Sequence, residues 1–184
     1  MSYWHIQSAI RIVNQGGVIS YPTESVYGLG CNPLDMEAVL YLLEIKARHL
    51  HKGLLLVAEN VSQLEPYIDI NDTLTINKLM QSTENPVTWI VPCKQSTPLW
   101  LTGEHQSIAV RISQHPIVMQ LCRQFNGALV STSANRSGQS STRKSWMVRK
   151  RFGNKIDYYV PGDLGSSKKE SKIQNSITDE VIRA

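Results

Sequence analysis

The sequence predicts an α/β fold, a mixed sheet with helices packed on it. Short apolar, β-branched runs alternate with segments of helical periodicity through most of the chain. The connections between them are short. Apolar residues make up 41% of 184 positions, enough for a real core in a length that fits one domain.

Ile6, Ala9, Ile10 and Val13 fall at i, i+3, i+4 and i+7, so the chain opens with an amphipathic helix that Gly16 and Gly17 stop. Residues 18–21 read as a buried strand. Asp35 caps a second helix with Met36, Val39, Leu40 and Leu43 on one face. Residues 54–58 form a second strand, 71–81 a helix, and 87–91 a strand that Pro92 ends. Another strand is expected over 108–112. Ser113 then caps a helix carrying Ile117, Val118, Leu121, Cys122 and Phe125, which Gly127 closes. Strand 129–132 runs straight into Ser133-Ala134-Asn135. A basic helix over 142–152 and a strand over 156–160 follow. Residues 162–172, polar and rich in glycine, serine and lysine, are expected to form a mobile loop. Two short strands, 173–177 and 181–183, complete a single domain over residues 1–184.

The net charge of +4 and pI near 9.0 suit an anionic partner: a nucleotide, an RNA or an acidic protein. No apolar run approaches the roughly 20 residues of a membrane helix. Met1-Ser2-Tyr3-Trp4-His5 lacks the basic and apolar regions of a signal peptide, so a cytoplasmic protein without membrane contact is expected. Cys31, Cys93 and Cys122 are odd in number and widely spaced, which supports neither a disulfide framework nor a zinc site. Cys122 belongs to a core face; Cys31 lies beside a polar loop where a reactive thiol is conceivable. No metal ligands are assigned, His49 and His51 being a poor pair beside Lys52.

Four features point to chemistry. Strand 18–21 ends in Pro22-Thr23-Glu24-Ser25 and strand 129–132 in Ser133-Ala134-Asn135-Arg136-Ser137-Gly138. Small residues at strand ends let amides and hydroxyls approach a bound group, though each cluster alone also fits an ordinary turn. Neither matches a P-loop, a dinucleotide fingerprint or a nucleophile elbow. Lys46-Ala47-Arg48 ends the second helix, with Lys52 just beyond. Such cations either complement the helix dipole or clamp a polyphosphate. Arg111 ends an apolar strand and either emerges at the rim or holds a carboxylate.

Together and in this order, these features resemble the YrdC-like threonylcarbamoyl-AMP synthases in their short, single-domain bacterial form. The residues that carry the likeness are Tyr21-Pro22-Thr23-Glu24-Ser25-Val26-Tyr27-Gly28-Leu29-Gly30, Lys46-Ala47-Arg48, Pro86-Val87-Thr88, Ser107-Ile108-Ala109-Val110-Arg111 with His115-Pro116, and Ser131-Thr132-Ser133-Ala134-Asn135-Arg136-Ser137-Gly138. The first and last of these form a highly specific pair.

The resemblance implies a twisted sheet around a basic concave cleft. It implies an enzyme that joins L-threonine, bicarbonate and ATP, with Mg2+, into L-threonylcarbamoyl adenylate and pyrophosphate. The adenylate feeds N6-threonylcarbamoyladenosine formation in tRNA through a downstream transferase complex. By resemblance, Lys46 and Arg48 are catalytic and hold the ATP phosphates. Thr23, Arg111 and Ser171 bind threonine. Ser107, Ser131, Ser133, Asn135, Ser141 and Arg183 bind nucleotide. The chain departs from the family pattern at His49, Asn85, Gln139-Ser140 and Asn175, and it stops one residue after Arg183. A second reading is a non-catalytic RNA-binding module acting in tRNA or ribosome maturation, using the basic helix residues Arg143, Lys144, Arg149, Lys150 and Arg151. The carbamoyl-adenylate domains of hydrogenase maturation factors belong to far longer chains.

Overall fold

A computed structural model describes residues 3–70, 72–81 and 86–183. The readings on Met1, Ser2, Asn71, Asn85 and Ala184 lie outside the described residues. In chain order the elements are α1 (Tyr3–Asn14), β1 (Ile19–Pro22), β2 (Tyr27–Gly30), α2 (Met36–Lys46), β3 (Leu55–Ala58), α3 (Thr73–Met80), β4 (Val87–Pro92), α4 (Leu99–Thr102), β5 (Ser107–Ile112), α5 (Pro116–Phe125), β6 (Leu129–Ser133), α6 (Ser145–Phe152), β7 (Tyr158–Tyr159), β8 (Lys172–Asn175) and β9 (Val181–Arg183). The strands form one mixed sheet in the order β7-β1-β2-β6-β3-β5-β4-β8-β9. Parallel pairs join β1 to β7, β3 to β5 and β4 to β8; the other neighbours are antiparallel.

Strand alternation sends side chains to two cores. On one face, α1 residues Ile6, Ala9, Ile10 and Val13 and α5 residues Ile117, Val118, Leu121 and Cys122 pack over Ile19, Tyr21, Val57 and Leu129. On the other, α2 packs Val39, Leu42, Leu43 and Ile45 against Leu29, Leu56, Val110 and Val130. The predicted mixed α/β fold is therefore the one observed, and α1 buries all four of its predicted apolar positions.

Several local expectations are corrected. Residues 27–30, assigned no element from the sequence, form β2, pairing with β1 so that Thr23-Glu24-Ser25-Val26 is a hairpin tip. Gly28 and Gly30 hide the strand pattern, yet a Cβ on Gly30 would stand 2.3 Å from the Val130 carbonyl oxygen. On α2, Met36 and Leu40 are exposed, because the face turned to the sheet carries Ala38, Val39, Leu42 and Leu43. Asp35 does cap this helix, accepting from the Ala38 amide at 3.0 Å. Ser113 is not the cap of α5. Pro116 begins that helix after His115, and the Ser113 hydroxyl instead accepts the His115 amide. Asn126, not Gly127, takes the left-handed position closing α5. The basic helix α6 starts at Ser145, and β8 ends at Asn175, whose side chain accepts the amides of Ile177 and Thr178 and turns the chain. Cys31 is fully buried and burial pushes its thiol up, which removes the reactive-thiol reading. Among the described residues no helix is long and apolar enough to cross a membrane.

Candidate functional site

Strand register, more than any one loop, assembles the site. Ser131 on β6 pairs with Leu55 on β3, which pairs with Ala109 on β5, which pairs with Ile90 on β4, which pairs with Asn175 on β8. Alternation places this row on the face that α1 and α5 cover elsewhere. Past the edge of those helices the row lies open and floors a cavity of about 530 Å³, within the range of small-ligand sites. Leu55, Ala109 and Ile90 supply an apolar centre, and the walls mix polar side chains with apolar ones such as Leu101 and Ile173. The β1–β2 hairpin contributes Thr23 and Ser25, β6 contributes Ser131 and Ser133, β5 contributes Ser107 and Arg111, and the C-terminal β8–β9 hairpin contributes Ser171 and Arg183. Ligands were expected at strand ends; the cavity spreads over a strand face.

Eight of the predicted site residues thus meet around one cavity: Thr23, Arg48, Ser107, Arg111, Ser131, Ser133, Ser171 and Arg183. Lys46, Asn135 and Ser141 are not in its lining. The reason for Lys46 is the end of α2. Ala47 adopts a left-handed conformation (φ 49), so the chain turns between the two cations. Arg48 runs toward the cavity, donating to the Gly53 carbonyl at 2.9 Å. Lys46, almost fully buried, donates to the carbonyls of Ser133 and Asn135. The Ser137 amide in turn donates to the Lys46 carbonyl at 2.8 Å. The two sequence clusters are thus one joined unit. Asn135 uses its amide nitrogen on the Gln139 carbonyl, and Ser141 sits in the loop beyond.

The residues expected to bind threonine are cross-braced. Thr23 Oγ1 donates to the Val26 carbonyl at 2.7 Å and closes the hairpin tip. Thr88 Oγ1 and Ser171 Oγ lie 2.8 Å apart, tying the tail to β4. Arg183 donates to the Ser171 carbonyl and pairs with Glu170 at 2.9 Å. Arg111 pairs with Glu24 at 3.7 Å. Segment 162–167 crosses the hairpin, with the amides of Gly165 and Ser167 donating to the carbonyls of Thr23 and Glu24. Gly165 allows this approach, since a Cβ there would stand 2.9 Å from Glu24 Cα.

The electrostatics favour an anion. Arg48, Lys52, Arg111 and Arg183 line the cavity against Glu170, the one lining carboxylate among the described residues. Burial, with Arg48 adding repulsion, pulls the Lys46 ammonium down to about 7. Burial also works against the charge of Arg48 and Arg111. The Nε–H groups of both guanidiniums are buried with no partner among the described residues. Two desolvated cationic donors left unsatisfied are a costly arrangement for a protein to keep without a use for them.

The Sua5/YciO/YrdC family model, described as telomere recombination, matches residues 11–184. The chain belongs to this family. It is 41% identical over 178 residues to the threonylcarbamoyl-AMP synthase of Coxiella burnetii (strain RSA 493), covering 97% of this chain and 96% of that one. It is 43% identical to the enzyme of that name from Cellvibrio japonicus, covering 97% and 94%. Among solved structures, P. abyssi Sua5 complexed with L-threonine superposes with a TM-score of 0.88 at 28% identity. That match covers 95% of this chain and 52% of that one, so the chain spans about half the length of P. abyssi Sua5. E. coli YciO superposes with a TM-score of 0.82 at 26% identity, covering 97% and 87%.

Within this family member, residue-by-residue reading missed the floor and the braces. Leu55, Ile90 and Ala109 look like core strand positions. Glu24 and Thr88 stood inside recognised motifs without a role. The one local signal was the alternation Ser107, Ala109, Arg111 on β5, small and polar where a core strand would be bulky.

Proposed function

We propose that this chain is a threonylcarbamoyl-AMP synthase. It condenses L-threonine, bicarbonate and ATP into L-threonylcarbamoyl adenylate and pyrophosphate, for tRNA N6-threonylcarbamoyladenosine. The observation that carries this reading is the pair of buried Nε–H donors of Arg48 and Arg111, at one cavity and without a partner among the described residues. They suit two anions held close together, a polyphosphate and an amino-acid carboxylate. Bicarbonate and the threonine amine give an N-carboxylate and water. One oxygen of that carboxylate attacks the α-phosphorus, and the bond to pyrophosphate breaks. Both reactants are anionic, so the chemistry needs cations and positioning rather than a covalent nucleophile.

In this reading Arg111, Thr23 and Ser171 hold threonine, and Arg48 with Lys46 takes the phosphates. Ser107, Ser131, Ser133, Asn135, Ser141 and Arg183 serve the nucleotide. Lys46 must exchange its carbonyl partners to reach a phosphate. Among the described residues no group of three or more His, Cys, Asp or Glu side chains forms a metal cage. Mg2+ would enter as part of the substrate, on the phosphates of ATP. Segment 162–172 acts as a lid that shields the hydrolysable product. The enzyme works in the cytoplasm, and its adenylate passes to a threonylcarbamoyl-transferase complex that modifies tRNA. Arg143 and Arg151 of the basic stretch are spent on internal carbonyls, which weakens the RNA-module alternative.

The test is pyrophosphate release by the purified chain with MgATP and bicarbonate, with and without L-threonine, and with L-serine as control. Threonine-dependent release with an adenylate of the expected mass supports the proposal. ATP binding without release points to a partner-dependent enzyme. Neither binding nor release overturns the enzyme reading.

A further inference from the structure

Glu24 stands inside the hairpin motif yet faces away from the large cavity. Its neighbours Thr23 and Ser25 line that cavity, whereas Glu24 lines a separate one of about 200 Å³ beside His115 and Ser166. Its carboxylate reaches from the hairpin tip to the end of β5. Oε1 accepts from the Ser113 hydroxyl at 2.5 Å and from the Gln114 amide at 3.2 Å; Oε2 pairs with Arg111 Nη1 at 3.7 Å. Both oxygens are occupied from behind the site. Arg111, by contrast, lines the large cavity and keeps its Nε–H without a partner among the described residues.

We propose that Glu24 is a positioning residue for Arg111: it holds one edge of the guanidinium from behind, so that the remaining donors face the substrate carboxylate. A carboxylate beside the carboxylate end of threonine would repel it; one placed behind the arginine holds the fork without competing for its front. An unbraced arginine at the end of a strand samples several rotamers, and each costs binding. The brace is anchored by the hydroxyl and amide of the turn after β5, so it moves with that turn. This inference rests on Arg111 being the carboxylate clamp.

The experiment measures steady-state KM for L-threonine and for ATP, kcat and Tm in wild type, Glu24→Gln, Arg111→Lys and the double variant. Glutamine keeps an oxygen for Ser113 and Gln114 but removes the charge facing Arg111. The expected result for Glu24→Gln is a threonine KM raised about tenfold, with ATP KM and kcat at saturating threonine within about threefold. The double variant should show no further rise beyond Arg111→Lys, because both changes disable the same clamp. If Arg111→Lys leaves threonine KM unchanged, the clamp reading itself fails. If Arg111→Lys raises it but Glu24→Gln does not, or if the two losses multiply, the positioning role is overturned. A fall in Tm with equal losses toward both substrates would mark Glu24 as structural, which also overturns it.

Discussion

The ammonium of Lys46 lies 2.6 Å from the main-chain carbonyl of Asn135, 89 residues further along the chain. One contact thereby joins the end of α2 to the turn after β6. It holds a buried cation just outside the cavity whose phosphate it is proposed to bind. In the proposed role, ATP must compete with two carbonyls for this side chain.

Replacing Lys46 tests that competition. Lys46→Met keeps the aliphatic stem and removes the charge. Adenylate formation should fall on the order of 10²–10³-fold, as for other charge-stabilising donors. Pyrophosphate release within about twofold of wild type would show that the side chain never leaves Ser133 and Asn135.

With Lys46 on the phosphates, as proposed, ATP binding should be pH-dependent. Free Lys46 titrates near 7, and polyphosphate favours its charged form, so the bound value is higher. Between the two values the complex holds a proton that the free protein lacks. ATP affinity is therefore fully present below pH 7 and is lost as pH rises through 7 toward the bound value. Calorimetry at pH 8 in buffers of different ionisation enthalpy should show proton uptake on ATP binding, smaller at pH 6 and absent in Lys46→Met.

Thr88 and Ser171 make a buried hydroxyl pair, so deleting one hydroxyl should cost more than deleting both. Thr88→Val strands the Ser171 hydroxyl and should destabilise by about 1–3 kcal/mol. Adding Ser171→Ala should recover part of that loss in denaturant titrations. Additive losses would show that the pair is not coupled.

Gly30 marks the tightest strand approach near the site. A Cβ there would stand 2.3 Å from the Val130 carbonyl oxygen and 2.9 Å from the buried Tyr21 ring, so Gly30→Ala should cost about 1–3 kcal/mol and lower Tm by several degrees. Gly127→Ala, whose added Cβ meets only ordinary contacts at 3.5 Å, should change stability by no more than about 0.5 kcal/mol.

The sequence by itself determined what depends on neighbours a few residues apart. The apolar spacing of Ile6, Ala9, Ile10 and Val13 set the buried face of α1. Asp35 set the start of α2, and the β-branched runs set most strands. The two small-residue motifs marked the hairpin tip and the turn after β6, because turns and caps are short-range devices. Only the tertiary structure decided what depends on register and on which face meets a helix. Leu55, Ala109 and Ile90 became a cavity floor because strand pairing lines them up on one face of the sheet. Lys46 and Arg48, two residues apart, were sent to different environments by the left-handed turn at Ala47. Met36 went to solvent and Glu24 behind Arg111. Burial, partner and pairing are set by atoms a hundred residues away, and a linear pattern carries no record of that distance.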